Sequence, residues 1–126
     1  MDVMPKYVRS RRASKEEFSL LPSEAANYNY ENYKLVSEIR DEMNRICQRD
    51  NVKKLPATRL TEIMLAEDII YDDRTVGRFG KSPTEKGKAL GIQIEDKISE
   101  KGNPYTVLKY SPEIQKFLVD YYIRQE

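Results

Sequence analysis

Ser82-Pro83-Thr84-Glu85-Lys86-Gly87-Lys88-Ala89-Leu90-Gly91 reads as a helix with both of its ends written in. Serine at the N-cap, proline at the first helical position and glutamate three residues after the serine make a capping box, which predicts a helix opening at Pro83. Gly91 is placed to end it, because glycine accepts the left-handed conformation that closes many helices. Upstream, Ile69-Ile70-Tyr71 reads as a short strand, Asp72 to Thr75 as a turn, and Val76 to Phe79 as a returning strand. Downstream, Ile92 and Ile94 begin another strand, and Tyr105 to Tyr110 form its antiparallel partner across the loop Lys101-Gly102-Asn103-Pro104. Ser111-Pro112-Glu113 repeats the cap-plus-proline device. It opens a last helix whose buried stripe is Ile114, Phe117, Leu118, Tyr121 and Tyr122.

Toward the N-terminus, a helix over about 57–68 has Leu60, Ile63, Met64 and Ile70 as its apolar face and Thr58 as an available N-cap. Arg59, Thr61, Glu62 and Glu67 look outward. Before it, Leu35, Val36, Ile39, Met43, Ile46 and Cys47 recur at spacings of three and four, which predicts a helix from Tyr30 to about Arg49. Cys47 falls in that stripe as a small core residue. The tyrosines of Tyr28-Asn29-Tyr30-Glu31-Asn32-Tyr33 are expected to pack a helix start, with base stacking the rival reading. Residues 1–22 show neither period and read as a basic arm, flexible or laid over the body; residues 23–126 form one domain. The order is helix, helix, hairpin, helix, hairpin, helix. That is an α+β fold with two small antiparallel hairpins, since no parallel crossover is available.

The chain has 126 residues, with 22 Lys plus Arg against 21 Asp plus Glu and a net charge of +1. Leu, Ile, Val and Phe total 29, which leaves room for only a small core. Histidine is absent, which excludes imidazole as base or metal ligand. The single cysteine excludes a disulfide framework and a cysteine zinc site. No apolar run reaches the roughly 18 residues of a membrane span, and the N-terminus lacks a signal peptide's apolar stretch, so a cytoplasmic protein with no membrane contact is expected. The small net charge conceals segregation. Residues 1–15 carry +4, residues 16–50 carry −4, and residues 74–91 carry +4 again. Two basic blocks suit two contacts with a polyanion, although lysine-rich loops are also ordinary solvated surface.

Three chemical readings fail on their own terms. Gly77 to Ser82 suggests a phosphate loop, but the required upstream glycine position is Thr75 and the parallel sheet is missing. Glu95-Asp96-Lys97, with Asp72 and Asp73 upstream, has the residue types of a metal-dependent nuclease, yet Glu-x-Lys is common on any exposed strand. Glu67, Asp68, Asp72 and Asp73 lack the spacing of a calcium loop and straddle a helix end and turn, where acids cap. A binder rather than an enzyme is expected, with no metal and no cofactor. One plausible phosphate seat survives at the helix opening at Pro83, beside Lys81 and Arg78.

Leu65-Ala66-Glu67-Asp68-Ile69-Ile70 at a helix-to-strand exit, a short hairpin, and then Pro83-Thr84-Glu85-Lys86-Gly87-Lys88-Ala89-Leu90 together resemble the winged helix-turn-helix superfamily of small bacterial and phage DNA-binding regulators. The likeness spans residues 58–91. It implies that the helix at 57–68 is the recognition helix and residues 69–81 the wing. It further implies double-stranded DNA as partner, read by Thr58, Arg59, Thr61 and Glu62. Phosphates would be held by Arg74, Arg78, Lys81, Lys86 and Lys88, with Arg9, Arg11 and Arg12 reaching in from the arm. Glu62 departs from the pattern, since it can accept from cytosine but repels phosphates. Many winged helices bind proteins instead, so a protein partner is the alternative.

Overall fold

The computed structural model describes residues 15–76 and 80–124. Its helices are α1 (Pro22–Ala25), α2 (Val36–Ile46), α3 (Ala57–Ala66), α4 (Glu85–Leu90) and α5 (Pro112–Tyr122). Strands β1 (Ile70–Asp72) and β2 (Lys81–Pro83) form one antiparallel sheet, and β3 (Gln93–Ile98) and β4 (Pro104–Lys109) form the other. The fold is mixed α+β. Its core joins Ile39, Met43 and Ile46 of α2, Leu60 and Met64 of α3, Ile69 and Ile70, and Ile114, Leu118 and Val119 of α5. No helix among the described residues is long and apolar enough to cross a membrane.

The capping box does not form where the sequence places it. Ser82 and Pro83 belong to β2, in the register Ile70↔Pro83, Tyr71↔Ser82 and Asp72↔Lys81. The helix opens at Glu85 with Thr84 as its N-cap, and the Thr84 hydroxyl accepts from the Gly87 amide at 3.0 Å. The run Ser-Pro-Thr-Glu offers two caps, and tertiary bonds choose between them. Ser82 Oγ donates to Asp73 at 2.6 Å, whereas Thr84 Oγ1 donates to the Asp68 carbonyl at 2.6 Å. Of the returning strand expected at 76–79, residues 77–79 lie outside the described residues, and Val76 is in a turn rather than a strand for a related reason. Asp73 accepts from the Thr75 amide and hydroxyl, which winds Arg74–Val76 into a 3-10 turn and leaves pairing to Lys81–Pro83. Gly91 does end α4, with φ of 106°.

The first long helix is shorter at both ends than its periodicity implies. It starts at Val36 because the Leu35 amide donates to Glu38, and Asn29 holds the Glu31 amide in a local turn before it. It stops at Ile46 because Glu24 accepts from the Gln48 amide and from Arg49, drawing those residues away. Tyr28 is buried and donates to Gln115 Oε1, and Tyr28 and Tyr30 stack at 4.5 Å. Gln115, fully buried, also accepts from Lys34 and donates to the carbonyls of Asn32 and Tyr110, so nothing on it is left unpaired. Tyr121, expected in the buried stripe of α5, is instead 58% exposed, and Val119 takes the core position.

The packed body begins before Pro22. Phe18 and Leu20 are core residues, and their segment is stitched to two distant stretches by backbone bonds. Glu16 pairs with Val52, and Leu20 with Ile123, both as parallel bridges. Residues 1–14, the remainder of the expected arm, lie outside the described residues.

Candidate functional site

Helix α3 is the element to which the sequence assigns contact with a ligand. Its N-cap is Pro56, in extended conformation, so Thr58 sits inside the first turn and caps nothing. Leu60, Ile63 and Met64 anchor one face in the core, which leaves Thr58, Arg59 and Glu62 exposed and Thr61 half-buried. The C-terminus closes without glycine. Asp68 takes a left-handed φ of 61°, and the Ile69 amide reaches back to the Met64 carbonyl at 2.9 Å.

The segment Thr84-Glu85-Lys86-Gly87 locks α4 onto this C-terminal end. Thr84 Oγ1 donates to the Asp68 carbonyl, and Lys86 Nζ donates to the Glu67 carbonyl at 2.7 Å. An ammonium there also faces the negative end of the α3 dipole. Gly87 lies so close to the residue just before β1 that a Cβ would stand 2.1 Å from the Ile69 carbonyl oxygen. The stretch that carries the winged-helix resemblance is thus a helix-docking device in this chain.

Two other cations of the basic block, Lys81 and Lys88, are also engaged. Lys81 pairs with Asp72 at 3.0 Å, directly across the β1–β2 register, and Lys88 pairs with Glu85 at 3.2 Å. Arg74 is exposed on its 3-10 turn and makes no salt bridge among the described residues. Arg78, Arg9, Arg11 and Arg12 lie outside the described residues. The acids of the considered metal or nuclease sites are not gathered. Asp73 is ringed by hydroxyls: bonds from Ser82 first, then Thr75, hold its carboxyl below the usual range. Glu95 lies on β3 between Lys97 and Lys109, on a different sheet from Asp72. Among the described residues no three ligating side chains of the His, Cys, Asp and Glu types come together.

What the structure does assemble is a groove of about 640 Å³ between α3, α5, the 53–56 connection and the 17–18 segment. Arg59 and Glu62 line it with Lys53, Lys54, Glu17 and Tyr121, over a floor that includes Phe18, Ile63 and Tyr122. Lys53 bonds Glu17 at 2.8 Å and, as the main cause, holds that carboxyl low; Arg59 adds to the effect at longer range. Burial raises the Tyr122 phenol, with Arg59 opposing and Glu62 reinforcing. Tyr121 and Tyr122 meet edge-on at 5.2 Å, as do Phe18 and Tyr122. Lys54 and Arg59 make no salt bridge among the described residues and face solvent. Lys53, Lys54 and Tyr121 are the site residues that sequence reasoning missed. The lysines lie just before α3, and that place was a usable signal. Compared with known protein families, curated sequences and solved structures, the chain matches none.

Proposed function

We propose that this chain is a small, winged-helix-like DNA-binding protein, a phage or bacterial regulator or accessory factor, that contacts duplex DNA with the outer face of α3. The observation that carries the reading is the exposed guanidinium of Arg59, which stands at the groove beside Lys53 and Lys54 while the other face of its helix is fixed in the core. A helix anchored this way presents its outer side chains at fixed spacing, which base reading requires. Lys54 supplies a phosphate contact at the entry to the helix, with Lys53, already bonded to Glu17, in support, and Arg74 extends the contacts along the first hairpin. Lys81, Lys86 and Lys88 play supporting roles, since their ammonium groups already serve partners within the fold. Glu62 accepts from a cytosine amine or, failing that, lowers affinity for phosphate.

The decisive comparison sets Arg59→Ala against Lys86→Ala in duplex binding. Arg59→Ala loses roughly 1–3 kcal/mol of discrimination at one base position with the fold intact. Lys86→Ala lowers stability and leaves base preference alone. Equal loss of affinity from both, or from neither, would refute the assignment to α3. A protein-interaction module is the second reading, favoured by Ile94, Ile98 and Tyr105, which are large apolar side chains exposed on the β3–β4 ribbon.

A further inference from the structure

The β3–β4 ribbon carries an apolar face that starts in the core and runs out into solvent. Alternation puts Ile92, Ile94, Asp96 and Ile98 of one strand on the same face as Pro104, Thr106, Leu108 and Tyr110 of the other. Ile92 and Tyr110, at the inner end, are buried. Ile94 is 54% exposed and Ile98 73% exposed, although each lies on the face that the core continues. Two-stranded ribbons are marginal alone, and large exposed isoleucines on such a face mark a surface that is covered in use.

The free edge of β3 is equally specific. The Ser99 amide donates to the Asn103 carbonyl at 2.9 Å, which marks that pair as hydrogen-bonded. Antiparallel alternation then turns the N–H and C=O groups of Ile94, Asp96 and Ile98 away from β4. Pro104, which has no N–H, lies opposite Ile98 and agrees with that pattern. Among the described residues no strand pairs along this outer edge.

We propose that this edge takes a second copy of the chain, with β3 adding antiparallel to β3 about a two-fold axis through Asp96. The sequence of the edge selects that occupant. A two-fold axis normal to the sheet must pass between a residue and its own image, so three central registers compete. An axis at Glu95 sets Glu95 against itself and Ile94 against Asp96. An axis at Lys97 sets Lys97 against itself and Ile98 against Asp96. Only the axis at Asp96 sets Ile94 against the second copy's Ile98 and Glu95 against the second copy's Lys97, each twice. About six backbone hydrogen bonds close along the Ile94, Asp96 and Ile98 groups, and the isoleucines of both copies join into one apolar face. Natural edges usually use charge to repel a second strand; here Glu95 and Lys97, which pair with each other at 3.3 Å within one copy, are placed so that each can also answer the other copy. The one repulsive pair is Asp96 with its own image. One strand pair is a small interface, so the dimer is weak and reversible.

Sedimentation of the full chain from micromolar to near-millimolar concentration tests this, with thermal melting to confirm that each variant folds. The wild-type chain shows reversible monomer–dimer exchange. Ile98→Lys, at a mostly exposed position, melts as wild type and stays monomeric. Asp96→Asn tightens the dimer about threefold or more by removing the like-charge pair. Lys97→Glu and Glu95→Lys each weaken self-association by roughly ten- to thirtyfold, and mixing the two variants restores a heterodimer. A wild-type chain monomeric throughout would overturn the proposal. So would a dimer indifferent to Ile98→Lys, or a mixture that fails to associate.

Discussion

Gly87→Ala places two physical effects in direct opposition. Helix propensity alone favours the substitution by about 1 kcal/mol, because alanine has less backbone freedom to lose. The structure opposes it. The added Cβ would lie 2.1 Å from the Ile69 carbonyl oxygen, 2.9 Å from Ile92 Cδ1 and 3.1 Å from the Ile69 carbonyl carbon. Comfortable carbon contacts begin near 3.5 Å, and two of these three atoms are backbone and cannot swing aside. Helix α4 must therefore retreat from β1, which costs about 1–3 kcal/mol as overpacking. The retreat also strains the bonds from Thr84 to Asp68 and from Lys86 to Glu67, at about 1 kcal/mol for each one lost. The net expectation is a loss of roughly 2–4 kcal/mol, or about 8–15 °C in Tm. Chemical denaturation of Gly87→Ala beside the exposed control Lys88→Ala measures it, the control staying within about ±0.5 kcal/mol. Unchanged or increased stability for Gly87→Ala would refute the close approach of α4 to Ile69.

Two further substitutions probe the frame. Asp68 holds a left-handed φ of 61°, so Asp68→Gly relieves strain and raises stability by about 0.5–1 kcal/mol, read from denaturant midpoints at constant m. Burial pushes the Glu24 carboxyl up, but the bond from Arg49 and those from the Leu21 and Gln48 amides together hold it below its ordinary 4.5. A depressed folded pKa means that this stability is present above about pH 4.5 and is lost as pH falls through the lower folded value. Arg49→Ala leaves Glu24 with only its amide partners, costs roughly 2–4 kcal/mol at neutral pH, and shrinks the acid-side fall in Tm; an acid profile identical to wild type would contradict this.

Elements whose signals are local and redundant were legible. Ile39, Met43 and Ile46, Leu60, Ile63 and Met64, the paired strands of the second ribbon, the Ser111 cap and the Gly91 stop all lie where their spacing puts them. Misreadings occurred where two local solutions are nearly equal and a distant partner decides. Ser82 and Thr84 are both sound caps, and only Asp73 and Asp68 make the choice. Glu24 ends α2 from more than twenty residues away. The segment of Phe18 and Leu20 read as part of the arm, because the stretches it bridges to, at Val52 and Ile123, adjoin it only in three dimensions. Charge was the least legible property of the candidate site. Composition counts Lys86 and Lys88 as cations, and only the fold shows that a carbonyl and a carboxylate already use them.

Affinity for random-sequence duplex DNA as a function of salt tests the central claim most directly. With Lys53, Lys54, Arg59 and Arg74 at the interface, log K falls against log salt with a slope of about −3 to −4. Neutralising Lys53, Lys54 and Arg59 together flattens that slope by up to about three units while thermal stability holds. No binding at low salt, or an unchanged slope after those three substitutions, would contradict the assignment of α3 as the DNA-contacting helix.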